Sequence, residues 1–133
     1  MFKDSIWVAI GSAIGGVSRF WLAEAFAAWL GTDFPWGTVV VNITGCFLIG
    51  FFSALTGPDG RILVSTTTRQ FVMIGICGGY TTFSSFSLQT LNMAQKGDWS
   101  QAGLHIGISM IFCLLAVWMG SVAAAAINQL KGT

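Results

Sequence analysis

The sequence predicts an all-α integral membrane protein of four transmembrane helices, with the third helix broken at mid-membrane. Three observations carry this reading. Hydrophobic residues make up 54% of the 133-residue chain and charged residues only 8%, where a soluble domain carries about 25% charged residues. At about 20 apolar residues per span, the length holds four helices and almost nothing outside the bilayer. And Gly78 through Ser87, in the middle of the third candidate span, is written too polar for a lipid-facing helix. It holds two adjacent glycines, a tyrosine, five Ser/Thr hydroxyls and two phenylalanines. The chain is therefore a single membrane domain over residues 1–133, with spans at about 5–30, 36–55, 68–94 and 102–127. The net charge of +1 leaves no basic footprint for nucleic acid or anionic lipid. Four helices can hardly enclose a solvated path and also shield it from lipid, so a transport function implies a homodimer.

Span 1 carries Gly11-x-x-x-Gly15, with Ser12 and Gly16 as a second small pair at the same spacing. Small residues four apart let helix backbones approach closely, which points to helix packing. The N-terminus does not read as a cleavable signal. Lys3 is its only positive side chain, and the apolar run behind it is too long for a signal h-region. Arg19 and Glu24 are the charges of this span. A charge at membrane depth is a functional candidate. Arg19, about four turns in, reads as an anchor for a neighbouring helix end or carbonyl. Glu24, nearer the far end, reads as interfacial. Trp29, Gly31, Thr32, Asp33, Phe34, Pro35 and Trp36 then make an interfacial turn with an aromatic belt.

Span 2 places Thr38 and Asn42 one turn apart on one face. An intramembrane asparagine needs partners for its amide. An interhelical hydrogen bond that glues the bundle and a polar track along that face are both open readings. Gly57-Pro58-Asp59-Gly60 is strong turn punctuation, and Ser65 through Thr68 reads as an interfacial helix start.

Span 3 has a clean apolar run only from Phe71 to Cys77, far too short to cross. Gly78–Ser87 follows, and a weak apolar pattern resumes to about Ala94. The simplest geometry is a helix broken in mid-membrane. Irregular backbone is tolerated at that depth only where it is buried in protein or lines a polar cavity, and half-helix ends there can bind ions. Span 4 sets His105, Ser109 and Cys113 at four-residue spacing on one face. His105, close to the expected helix start, reads as solvated or capping, and Ser109 is a candidate for the same track as Asn42. The cysteines Cys46, Cys77 and Cys113 each sit in an apolar run without CxxC spacing and read as buried reduced thiols. Lys3, Arg61, Arg69 and Lys131 lie on the N-terminal side against Lys96 on the other, which leans towards cytoplasmic termini.

No nucleophile–base pair, paired carboxylates or metal-ligand cluster stands in this sequence, so an enzyme is not expected. What remains is an uncharged polar face. Amides and hydroxyls can replace the hydration shell of a small anion, and phenylalanine edges carry partial positive charge. Phe83 and Phe86, three apart, can present edges along one path, although two phenylalanines in a membrane helix are usually plain packing. A donor-lined path without Lys or Arg binds an anion weakly enough to release it, as conduction requires.

At these residues the sequence closely resembles the Fluc (CrcB) family of bacterial fluoride channels. The signature Gly-Gly-x-Thr-Thr-Phe-Ser-Thr-Phe-Ser is matched by Gly78–Ser87, with Ser85 for the usual Thr. A second signature is matched by Gly37, Thr38, Asn42, Gly45 and Gly50, and the Gly-rich first span with Arg19 also fits. The resemblance runs along essentially the whole chain. It implies an antiparallel, dual-topology homodimer in the bacterial inner membrane with two fluoride pathways. Asn42, Phe83 and Phe86 would line each path, with Thr38, Thr82, Ser84 and Ser109 as the accompanying hydroxyls. It implies a structural sodium ion held by main-chain carbonyls at Gly78 and Thr81 of each subunit, and a structural or vestibule role for Arg19. Dual topology outweighs the charge count, because the chain has so few charges. Gln89 stands where the family commonly has Glu, and Cys113 where it often has a hydroxyl.

The expected function is thus passive, fluoride-specific export that lowers the cytoplasmic concentration. Two other classes stay in view: a small proton-coupled multidrug exporter using Glu24, and a non-transporting membrane assembly subunit.

Overall fold

The computed structural model describes residues 1–130; Lys131, counted above among the N-terminal-side charges, lies outside the described residues. Among the described residues, every regular element is a helix. Helix α1 spans Phe2–Leu30 and α2 Trp36–Leu55. Helix α3, residues 66–80, is composite: an α-helical start Thr66–Gln70, a π-helical stretch Phe71–Cys77 and a last turn Gly78–Tyr80. Helix α4 is Phe83–Gln95 and α5 is Trp99–Gln129. Counting α3 and α4 as one interrupted span, four helical segments are long and apolar enough to cross a membrane.

Local chemistry explains the boundaries. The Ser65 hydroxyl accepts from Thr68 N at 3.1 Å and starts α3, as an N-cap should. The Asp98 carboxylate accepts from Gln101 N at 3.2 Å and starts α5. That cap places the helix start at Trp99, three residues before the expected 102, and the helix runs on to Gln129. Helix α1 likewise begins at Phe2 rather than near residue 5. Gly31 (φ 84°) and Gly97 (φ 82°) turn the chain after α1 and α4, in a conformation that favours glycine.

The break differs from the expectation in one respect. Gly78 through Tyr80 is helical, and so is Phe83 through Ser87. Only Thr81 (ψ 159°) and Thr82 (φ −152°, ψ 112°) leave the helix. The glycines do not break the chain; Gly79 lets α1 approach it. A Cβ on Gly79 would lie 2.6 Å from Ser12 O, and one on Gly11 would lie 3.0 Å from Gly75 Cα. Gly11, Ser12 and Gly15 therefore carry the α1–α3 seam. Gly16 faces open space and takes no part, so the second small pair is only half used.

Helices α2 and α5 run parallel and form the other tight seam. Gly50 lies against Val117, Gly120 against Phe47, and Asn128 Nδ2 donates to Ala54 O at 3.1 Å. At that end of the bundle Asp4 accepts from Thr67 Oγ1 at 2.7 Å. Arg69 donates to Thr56 O at 2.7 Å, and Arg61 N donates to Asn128 Oδ1 at 2.8 Å. The ends of all four spans are tied there by hydrogen bonds rather than by apolar burial.

Candidate functional site

The site is built where α2 meets the break. Asn42 Nδ2 donates to Thr82 O at 3.0 Å, and Asn42 Oδ1 accepts from Thr82 N at 2.8 Å. One amide thus satisfies both main-chain groups of Thr82. Of the two readings open for Asn42, the interhelical bond is made; the amide also lines the cavity described next. Thr82 Oγ1 accepts from Ser85 N at 3.1 Å and caps α4. Thr81 Oγ1 donates back to Cys77 O at 2.9 Å. Gly45 leaves room for this turn: a Cβ there would run into the Thr81 methyl, with Tyr80 Cδ1 3.1 Å away. The Tyr80 hydroxyl meets Thr44 Oγ1 at 2.8 Å, pinning the end of α3 to α2.

A cavity of about 360 Å³ opens beside this turn. Asn42, Thr82, Phe83, Phe86 and Ser109 all line it, together with Gly78 and Thr81. Most of the expected site residues are thus brought to one place. Phe86 is 6% exposed, with its ring 5.3 Å from that of Phe83. Phe83 is 70% exposed, so one ring is fixed and the other stands on the outside of the subunit. Ser109 is buried, and its hydroxyl finds no partner; a buried donor of this kind is costly unless something fills its place. Ser84 is exposed and touches the site only through Thr82 Oγ1, at 3.3 Å.

Thr38 and Arg19 lie elsewhere. A second cavity, of about 310 Å³, is lined by Arg19, Thr38, Thr82, Ser85 and Gln89. Thr82 borders both cavities, so the break forms the wall between them. Thr38 and Asn42 share a helix face but look into different cavities. The carbonyl anchor expected for Arg19 is not made: among the described residues its guanidinium has no hydrogen bond or ion pair, and it opens into the cavity. Gln89 Oε1 is buried there without a partner. A third cavity joins it through Ala23, Thr38 and Gln89 and reaches Glu24, Asp33 and Lys96. Glu24 is exposed near the end of α1, where water can reach it.

His105 is where the sequence reading fails. It is not solvated but fully buried, at 0% exposure. Thr90 Oγ1 donates to Phe86 O at 2.8 Å and lies 3.0 Å from His105 Nδ1. With its one proton given to the carbonyl, the hydroxyl accepts from Nδ1–H. The imidazole packs on Phe86 at 4.8 Å and on Phe34 at 5.5 Å, and Nε2 is left without a partner. The missed signal was Asp98 as an N-cap, which sets His105 nearly two turns inside the helix. Thr90, one turn beyond Phe86, belongs to the same cluster.

No group of three His, Cys, Asp or Glu side chains that could hold a metal ion occurs among the described residues. The break supplies main-chain oxygens instead. Thr82 N is taken by Asn42, so the Gly78 carbonyl loses its helical donor, and the Thr81 carbonyl also receives none. Gly78 is exposed, and a Cβ there would meet only Met73 O, at 3.7 Å. Bare, accessible carbonyls of this kind fit a hard monovalent cation such as sodium.

Comparison with known proteins bears on these residues. The family described as CrcB-like protein, Camphor Resistance (CrcB), matches residues 6–121. The chain is 58% identical over 129 residues to a Methylocella silvestris protein named fluoride-specific ion channel FluC, covering 97% of this chain and 98% of that one. A protein of the same name from Opitutus terrae is 54% identical over 128 residues, 96% and 97% of the two chains. One from Rhodospirillum rubrum is 52% identical over 124 residues, 93% and 96%.

Proposed function

The chain belongs to the CrcB-like family, whose curated relatives are named as ion channels rather than enzymes, and on that premise we propose that it is a passive, fluoride-specific channel of the bacterial inner membrane. It lets fluoride leave the cytoplasm down its gradient and so lowers the internal concentration. The observation that carries the reading is the 360 Å³ cavity, where Asn42, Phe83, Phe86 and Ser109 meet beside the break. Its polar groups are neutral. Ring edges and the unpartnered Ser109 hydroxyl can replace hydration without trapping the ion. Arg19, unneutralised in the second cavity, concentrates anions at one mouth of the path.

The functional unit is an antiparallel homodimer with two such paths. Support comes from the subunit's surface: Gly78 at the break is exposed, and a bare main-chain carbonyl is not a group that lipid accommodates, while Phe83 stands exposed beside it. The carbonyls of Gly78 and Thr81 from both subunits would hold a sodium ion on the dimer axis. When bound, the ion supplies a fixed positive charge and ties the two breaks together. The exporter reading fits less well, because Glu24 lies at the end of α1 rather than at mid-membrane.

The deciding experiment is efflux from liposomes, read with fluoride-selective and chloride-selective electrodes. Fluoride efflux without matching chloride efflux is expected. Equal chloride efflux, or none of either ion, overturns the reading.

A further inference from the structure

The cysteines of α2 and α5 carry no role in the ion path described above, although they lie on its wall. Gly50 packs directly on Val117: a Cβ at Gly50 would lie 3.0 Å from the Val117 carbonyl carbon. Cys46 and Cys113 stand four residues before Gly50 and Val117, and the two helices run parallel. One turn along, the same two faces therefore meet again, now carrying thiols instead of a glycine and a backbone. Cys46 and Cys113 face the same cavity from the two helices. Both are free and half-buried, and both line the 360 Å³ cavity that holds Phe83 and Phe86.

We propose that Cys46 and Cys113 form a two-thiol site for a soft divalent cation that accepts linear coordination, and that filling it blocks the ion cavity. The blocking clause rests on the pathway reading above; the binding clause does not. Mercuric ion is the probe. Two S–H bonds ionise, two metal–sulfur bonds form and two protons leave to solvent, with no change of oxidation state. The product, two thiolates around one divalent ion, is neutral, as a largely apolar cavity requires. A monovalent soft cation would leave a net negative charge on the same pair. Zinc favours about four ligands, and among the described residues no third His, Cys, Asp or Glu joins these two. Cys77, buried on α3, lines the same cavity but does not form a group of three with the pair.

Two readouts test this. In the first, detergent-purified protein is treated with mercuric chloride and washed with a monothiol, which strips singly held mercury. It is then denatured, and its thiols are counted with a maleimide. Reactive thiols are expected to fall from three to one in the parent chain, and to stay at two in Cys46→Ser and in Cys113→Ser. Three reactive thiols in the parent, or continued protection in either variant, overturns the site. In the second, mercuric chloride is added during fluoride efflux, each protein being compared with its own untreated flux. Block reversed by dithiothreitol is expected in the parent and in Cys77→Ser, with its loss in the other two variants. Protected thiols with unchanged efflux overturn the blocking clause. Absence of fluoride efflux before any mercury is added counts against the channel reading, and the thiol count still decides the site.

Discussion

Asn42 and Thr82 exchange two hydrogen bonds, at 3.0 and 2.8 Å, in which a side-chain amide replaces the helical partners of one extended residue. This pair keeps the third span open at Thr81–Thr82 while leaving no main-chain group of Thr82 unsatisfied. Because Thr82 N is occupied, the Gly78 carbonyl is bare.

Replacing Asn42 is therefore expected to act on the break itself. Asn42→Ala strands a buried donor and acceptor, at about 1–3 kcal/mol, and should lower both fluoride efflux and thermal stability. Asn42→Asp keeps the acceptor for Thr82 N, loses the donor and adds a negative charge beside the cavity. It should slow fluoride efflux further than its loss of stability accounts for. Efflux and thermal unfolding measured on both variants check this.

Phe83 and Phe86 should separate cleanly. Phe86 is buried on His105, so Phe86→Ala should cost about 3 kcal/mol as well as flux. Phe83 is 70% exposed in the subunit, so Phe83→Ile should slow efflux with little loss of subunit stability. Thr90→Val removes the hydrogen bond that orients His105 under Phe86, and an intermediate loss of flux is expected. Unchanged efflux in Phe83→Ile refutes its place on the path.

Gln89 faces the cavity that Arg19 opens into. Gln89→Glu supplies a carboxylate that offsets the guanidinium, so fluoride efflux should fall. The fall should be larger at low ionic strength, where screening is weak. In an Arg19→Gln background the same substitution should add only a like-charge penalty for anions and lose its guanidinium-dependent part. A salt series on the two single variants and the double variant reads this coupling.

Gly79→Ala should destabilise the protein by about 1–3 kcal/mol, because its Cβ would lie 2.6 Å from Ser12 O and 2.8 Å from Ser12 Cα, both backbone. Gly16→Ala, where nothing lies within 4 Å, should be neutral. Thermal unfolding in detergent distinguishes the two positions.

Exchanging sodium for a large organic cation during purification should loosen the dimer and reduce efflux, both recovering on return of sodium. Size-exclusion chromatography and efflux measured in parallel check it, and indifference to sodium refutes the Gly78 and Thr81 assignment.

Composition and spacing alone determined a large part of this protein. Four apolar runs within 133 residues admit little besides four spans, and the Trp36 and Leu55 ends of α2 follow directly from the flanking turns. The polarity of Gly78–Ser87 marked the broken span, because a bilayer does not tolerate such a segment facing lipid. Which residues break the helix was decided only in three dimensions. Gly78 and Gly79 look like breakers in one dimension, yet both are helical, and Gly79 serves the close approach of Ser12. Thr81 and Thr82 look like ordinary β-branched helix residues, yet they are extended because Asn42, forty positions away, offers a better partner than the next turn. His105 was misplaced for the same reason. Its surroundings come from two other parts of the chain, Thr90 and Phe86 on α4 and Phe34 before α2, and a helix start three residues earlier than expected set it against rings rather than in water. Periodicity and composition report what each segment can bury. Only the packed bundle decides which long-range partner outcompetes the local hydrogen bond.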